Sequence, residues 1–167
     1  MSKHHPSFDA FISFSRDLTG FSSFELHGTG EAGAYFDTVI RVVGDSLVGE
    51  MLAAHGSLGT EGAQRETGIR QTVLAHPTLG PVARAVLMMW FSGTWFGLPE
   101  AWVEANGHEE AGRTFTVRPS SYAEGLIWRN LGVNAAGAKA PGYGSWAEPP
   151  SIPDPHGDVP VLTIRRS

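Results

Sequence analysis

The residues most able to do chemistry in this chain are its seven histidines, His4, His5, His27, His55, His76, His108 and His156. None has the H-E-x-x-H spacing that sets two imidazoles and a general base on one helical face. His108-Glu109-Glu110 lacks the second imidazole, and neighbouring carboxylates on a regular helix do not face one another, so the pair reads as surface. Asp154-Pro155-His156-Gly157-Asp158 is different, because alternate residues of an extended chain point to one side and three ligands could converge there. A metal would still need ligands from elsewhere, and a solvated proline-rich turn is the preferred reading of the segment. With Met1 removed, Ser2-Lys3-His4 offers an amine, two amides and an imidazole suited to square-planar Cu(II) or Ni(II), a feature read here as incidental. Gly56-Ser57-Leu58-Gly59 does not supply the G-x-S-x-G elbow of a serine hydrolase. The absence of cysteine removes disulfides, iron–sulfur clusters, thiolate zinc sites and a thiol nucleophile.

Gly28-Thr29-Gly30-Glu31-Ala32-Gly33 is a literal G-x-G-x-x-G that leads into a helical pattern. Dinucleotide binding needs a strand before the glycines, free amides at the helix start and a βαβ unit around them. Phe21 to Leu26 makes a poor strand, and Glu31 would repel a phosphate. A loop between two helices is the preferred reading, with a small nucleotide-binding oxidoreductase as the alternative.

The elements that must position such residues belong to one domain's length, 167 residues, 41% of them hydrophobic. The net charge of -5 and the lack of a Lys/Arg cluster argue against nucleic acid as a partner. Charged residues are 17% of the chain, against about 25% in an ordinary domain. Either another chain covers part of the surface, or a glycine-rich domain is solubilised by Ser, Thr and Asn. Met1 to Pro6 is polar, and Asp9 and Ser13 interrupt the first apolar cluster, so no export leader is expected and the chain as written reads as cytoplasmic. A periplasmic location would follow if a leader was removed or a partner carried the export signal. Ala83 to Phe96, the longest apolar stretch, is too short and too interrupted to span a membrane.

Apolar spacing predicts a mainly α fold of about five helices. Ser7 caps a first helix with Phe8, Phe11, Ile12, Ser15 and Leu18 on one face, ended by Gly20. A second runs from Ala34 with Tyr35, Val39, Val42, Val43, Leu47, Met51 and Leu52 in one broad stripe. Ile69, Val73 and Leu74 suggest a shorter third, closed by His76-Pro77. Pro81 opens a fourth, apolar nearly all round and therefore central or covered by a partner. Ser120 or Ser121 caps a fifth carrying Tyr122, Leu126, Ile127 and Asn130, ended by Gly132. Residues 1–132 are thus expected to form a helical domain. Residues 133–167, rich in proline, are expected to run extended and to pack on that domain, on a partner, or on both, with one short strand over Val159 to Arg165.

Four segments in order carry a wider pattern: Phe11-Ile12-Ser13-Phe14-Ser15-Arg16-Asp17-Leu18-Thr19-Gly20, Met89-Trp90-Phe91-Ser92-Gly93, Tyr122-Ala123-Glu124-Gly125-Leu126 and Pro141-Gly142-Tyr143-Gly144-Ser145-Trp146-Ala147-Glu148-Pro149. With them the chain resembles the small subunit of bacterial flavin-dependent sugar and polyol dehydrogenase complexes. The resemblance implies a helical accessory subunit, not an enzyme by itself, whose extended C-terminal segment wraps a large subunit of the glucose-methanol-choline type. That partner would hold the FAD and the catalytic base and pass electrons to a cytochrome c subunit or another acceptor. This chain would stabilise the partner and help mature or export it, holding no cofactor, metal or catalytic residue of its own. By the same resemblance Trp90, Gly93, Tyr122 and Leu126 are packing residues, and Pro141, Tyr143, Trp146, Pro149 and Pro150 are partner contacts. Relatives commonly begin with a twin-arginine leader, and several have a cysteine in the aromatic tail; this sequence has neither, so no disulfide can link it to a partner. A free-standing helical interaction domain is the remaining alternative.

Overall fold

A computed structural model of the chain describes residues 7–59 and 62–138. Its elements are α1 (Phe8–Thr19), α2 (Ser23–Gly28), α3 (Ala32–Val43), α4 (Asp45–Gly56), α5 (Ala63–Gly68), α6 (Leu79–Ser92), α7 (Glu100–Asn106), α8 (Pro119–Glu124) and α9 (Leu126–Leu131). A π-helical turn, Ile69–Leu74, continues α5, and a 3₁₀ turn, Glu109–Gly112, follows α7. A small antiparallel ladder pairs β1 (Thr94–Trp95) with β2 (Phe115–Thr116), Thr94 opposite Thr116 and Trp95 opposite Phe115. The fold is mainly α, as expected, with more helices than five.

The first helix and the central one follow the sequence closely. α1 buries Phe11, Ile12, Phe14 and Ser15, and Gly20 ends it at φ 79°, a conformation only glycine adopts without strain. α6 begins at Leu79, two residues before Pro81, which therefore sits in the first turn, where a missing N–H breaks no helical bond. His76 prepares that start: its Nδ1 accepts from the Thr78 and Leu79 amides, both at 3.2 Å. α6 then buries residues on nearly every side and packs against α1, α3, α9 and the π turn, which makes it the axis of the domain.

Two expected helices are each divided. The apolar stripe from Ala34 to Leu52 is shared by α3 and α4, because Gly44 (φ 84°, ψ 148°) breaks the hydrogen-bonding run between them. The expected fifth helix is α8 followed by α9, separated by an extended Gly125 (φ −53°, ψ 132°). Its cap is neither Ser120 nor Ser121: Arg118 occupies the cap position, Pro119 begins α8 and both serines lie within it. α2, α7 and the β ladder are additional elements. α2 starts with a capping box, in which the Ser22 hydroxyl accepts from the Glu25 amide and the Glu25 carboxylate accepts from the Ser22 amide. Among the described residues no helix is long and apolar enough to cross a membrane.

Candidate functional site

Three of the four segments named above meet along the end of α6, the first at Trp90 and the third at Phe91 and Gly93. The Trp90 indole is fully buried, lies near Phe11 with ring centroids 6.4 Å apart, and meets Tyr35 edge-on at 4.8 Å. A buried indole needs a partner for its N–H; Nε1 donates to Ser15 Oγ at 2.9 Å, which explains the serine on the apolar face of α1. Beyond Trp90 the chain passes so close to α8 that side chains have no room. A Cβ on Gly93 would lie 2.4 Å from the Ser121 carbonyl, and one on Gly125 would lie 2.6 Å from the Phe91 carbonyl oxygen. Gly93 also stands at φ 74°. Leu126 is buried, whereas Tyr122 is half-exposed, its ring edge-on to Trp128.

The Gly28–Gly33 loop joins α2 to α3, so a helix stands where a dinucleotide site requires a strand. Glu31, only 2% exposed, is the residue that precedes α3, and its carboxylate turns to Arg118 and Ser121 rather than to the amides of α3. Its Oε2 accepts from Arg118 Nε at 2.8 Å and from Ser121 Oγ at 2.6 Å, while Arg118 Nη2 donates to the Gly30 carbonyl at 2.7 Å. Burial opposes the charge on Glu31, but the bonds from Arg118, Ser121 and Ser120 outweigh it and hold its carboxyl below the usual value. The loop is thereby tied to α8 across the domain.

A second buried ionic group joins α1, α4 and α5. His55, 3% exposed, lies in α4 with its ring edge-on to Phe14, and its Nε2 is 2.9 Å from Asp17 Oδ2 and 2.8 Å from Arg65 Nη2. Arg65 Nε donates to Asp17 Oδ2 at 2.5 Å, and Nη1 donates to the carbonyls of Leu58 (3.2 Å) and Gly59 (2.8 Å). Arg16 completes the group, donating from Nε to Asp17 Oδ1 at 3.0 Å. Burial works against the Asp17 charge, but bonds from Arg65, His55 and Arg16 prevail and lower its pKa. Arg16, Asp17 and Arg65 line an open cleft of about 650 Å³ with Thr19, Gly20 and Glu66, and His55 lies behind them outside its lining. Sequence spacing could not have found the group, because Asp17 precedes His55 by 38 residues and Arg65 by 48.

The remaining unusual surface is apolar. Phe24 is 86% exposed on α2, and Ile127, Leu131 and Val133 are exposed on α9 and just beyond it. Met88 and Phe96 stand exposed at a shallow depression of about 250 Å³ also lined by Pro81, Leu98 and Pro99. The expected partner contacts Pro141, Tyr143, Trp146, Pro149 and Pro150 lie outside the described residues, as do Ser2-Lys3-His4, Asp154 to Asp158 and the expected strand over Val159 to Arg165. Among the described residues no three His, Asp or Glu side chains come together to hold a metal. Comparison with protein families, curated proteins and solved structures gives no match to this chain.

Proposed function

We propose that this chain is an accessory subunit that stabilises the FAD-containing subunit of a sugar or glycoside dehydrogenase complex, and helps it mature or reach its compartment. The observation that carries the proposal is the meeting of three resemblance-bearing segments at the end of α6, through the Trp90–Ser15 hydrogen bond and the Gly93 and Gly125 close approaches. Loose sequence matches scattered over a surface would have no such mutual dependence. The exposed Leu131 and Val133 add support, since they lie where the helical domain passes into the C-terminal segment to which Pro141, Tyr143, Trp146, Pro149 and Pro150 belong. Chemistry on the substrate belongs to the partner in this reading, and the large subunit of glucose-methanol-choline type supplies flavin and base. Use of Gly28–Gly33 for a nucleotide gains nothing from the geometry, because the helix α2 stands before the loop where that use needs a strand.

Co-expression with such a flavoprotein, followed by affinity capture and an absorbance scan, tests the proposal. A stoichiometric yellow complex that oxidises a sugar is the expected result, with Trp146→Ala weakening capture more than it lowers the melting temperature of the isolated chain. Colourless, partnerless chain from every such co-expression overturns it.

A further inference from the structure

The contacts of His55 contain a choice that no single protonation state can avoid. Nε2 lies within hydrogen-bond distance of Asp17 Oδ2, which can only accept, and of Arg65 Nη2, which can only donate. One ring nitrogen either carries a proton and serves the carboxylate, or lacks one and serves the guanidinium. Arg65 is also the main tie of α5, which buries none of its six residues. Through Arg65 that helix reaches Asp17 on α1, His55 on α4 and the carbonyls of Leu58 and Gly59. Its other contacts are the Leu58 side chain beside Gly68 and the exposed Glu66–Arg70 ion pair to the π turn.

We propose that His55 is a proton-operated latch on α5. Neutral with its proton on Nδ1, the ring accepts from Arg65 at Nε2 and helps hold α5 against α1 and α4; protonated, the same nitrogen donates to Asp17 and repels Arg65, which keeps only Asp17 and the two carbonyls, and α5 loosens. Release would widen the cleft whose wall is formed by Asp17, Arg65 and Arg16. The charges facing the ring come from two elements: Asp17 and Arg16 on α1, and Arg65 on α5. α3 and the π turn also pack on α4, but their charged residues Asp37, Arg41 and Arg70 are exposed, as are Asp45 and Glu50 of α4 itself. Burial is the largest influence on the ring and lowers its pKa below the ordinary 6.5; Asp17 opposes this, while Arg65 and Arg16 add to it. A folded-state value below the unfolded one means that the neutral latch stabilises above the unfolded value, and that this stabilisation is lost as pH falls through the folded one. The latch is independent of which partner the chain binds.

The test uses the full chain in two measurements. NMR titration follows the His55 ring and the amides of Ala63 to Gly68 together, and the expected result is one shared midpoint below pH 6.5. Hydrogen exchange, corrected for intrinsic rate, should run about tenfold faster in α5 at about pH 5 than at about pH 7.5, with α1 and α6 unchanged. In His55→Gln, which cannot gain the charge, α5 exchange should lose its pH dependence. Separate midpoints for the ring and α5, or acid-induced exchange spread evenly over α1, α5 and α6, overturn the proposal in the wild-type chain alone. Equal pH dependence in folded His55→Gln overturns it as well.

Discussion

α6 and α5 stand at opposite ends of what holds a helix in place. α6 buries eight of its fourteen residues, its termini are fixed by the His76 ring and by Gly93, and its one buried indole is hydrogen-bonded. α5 buries none, and its ties to α1 and α4 run through one guanidinium with four partners. Apolar burial is non-directional and largely insensitive to pH, whereas a charge-based tie depends on the protonation state of every group it touches. The centre of the molecule is thus built to persist and the α5 margin to respond.

The largest effect expected from breaking this contrast is at Trp90. Trp90→Ala removes the side chain that joins α1, α3 and α6, and should cost about 3–5 kcal/mol in urea unfolding, with all helices lost together. A loss below about 1 kcal/mol would mean that the centre tolerates a void and is no firmer than the margin.

Glu31 gives a smaller and pH-dependent test. Glu31→Gln leaves Arg118 and Ser121 facing a neutral amide and should cost about 1–3 kcal/mol at neutral pH, toward the low end because the Arg118 side chain is 45% exposed. Since the Glu31 carboxyl is held below its ordinary 4.5, the charged form stabilises the fold above that value, and the gain disappears as pH falls through the lowered one. Thermal melts across acid pH should therefore show wild type and Glu31→Gln converging as pH falls below 4.5 and through the lowered carboxyl value. Parallel curves would show that the Glu31 charge contributes nothing and that packing alone ties the loop to α8.

The same contrast explains what could be read from sequence. α1 and α6 were legible because burial writes itself into apolar spacing, and Gly20 marks a stop by a conformation other residues avoid. The Gly44 break was not, since the stripe from Tyr35 to Leu52 keeps its helical period on both sides and only the backbone angles reveal the turn. α2 carried a readable sign, Ser22 three residues before Glu25, but six residues are too few for a period to emerge. Two-residue strands show no alternation at all. The Glu31–Arg118 and Asp17–His55–Arg65 groups join residues far apart in the chain, and no local spacing encodes them. The aromatic tail residues expected to touch a partner lie outside the described structure, so their role rests on the resemblance and its tests.

The smallest effect sharpens the comparison most. Arg70 Nη2 and Glu66 Oε1 form a 2.6 Å ion pair four residues apart, joining α5 to the π turn, with side chains 71% and 68% exposed. Such a pair works in high dielectric against the entropy of two long side chains, so Glu66→Ala should change stability by no more than about 0.5 kcal/mol. Exchange protection of α5 should stay within about twofold of wild type, because Arg65 and its partners are untouched. If Glu66→Ala instead unlocks α5 at neutral pH, the helix is held along its exposed face, and His55 has no grip on it through Arg65. If protection persists in Glu66→Ala and is lost in Arg65→Ala, the tie lies in the buried ionic group, where a single proton can reach it.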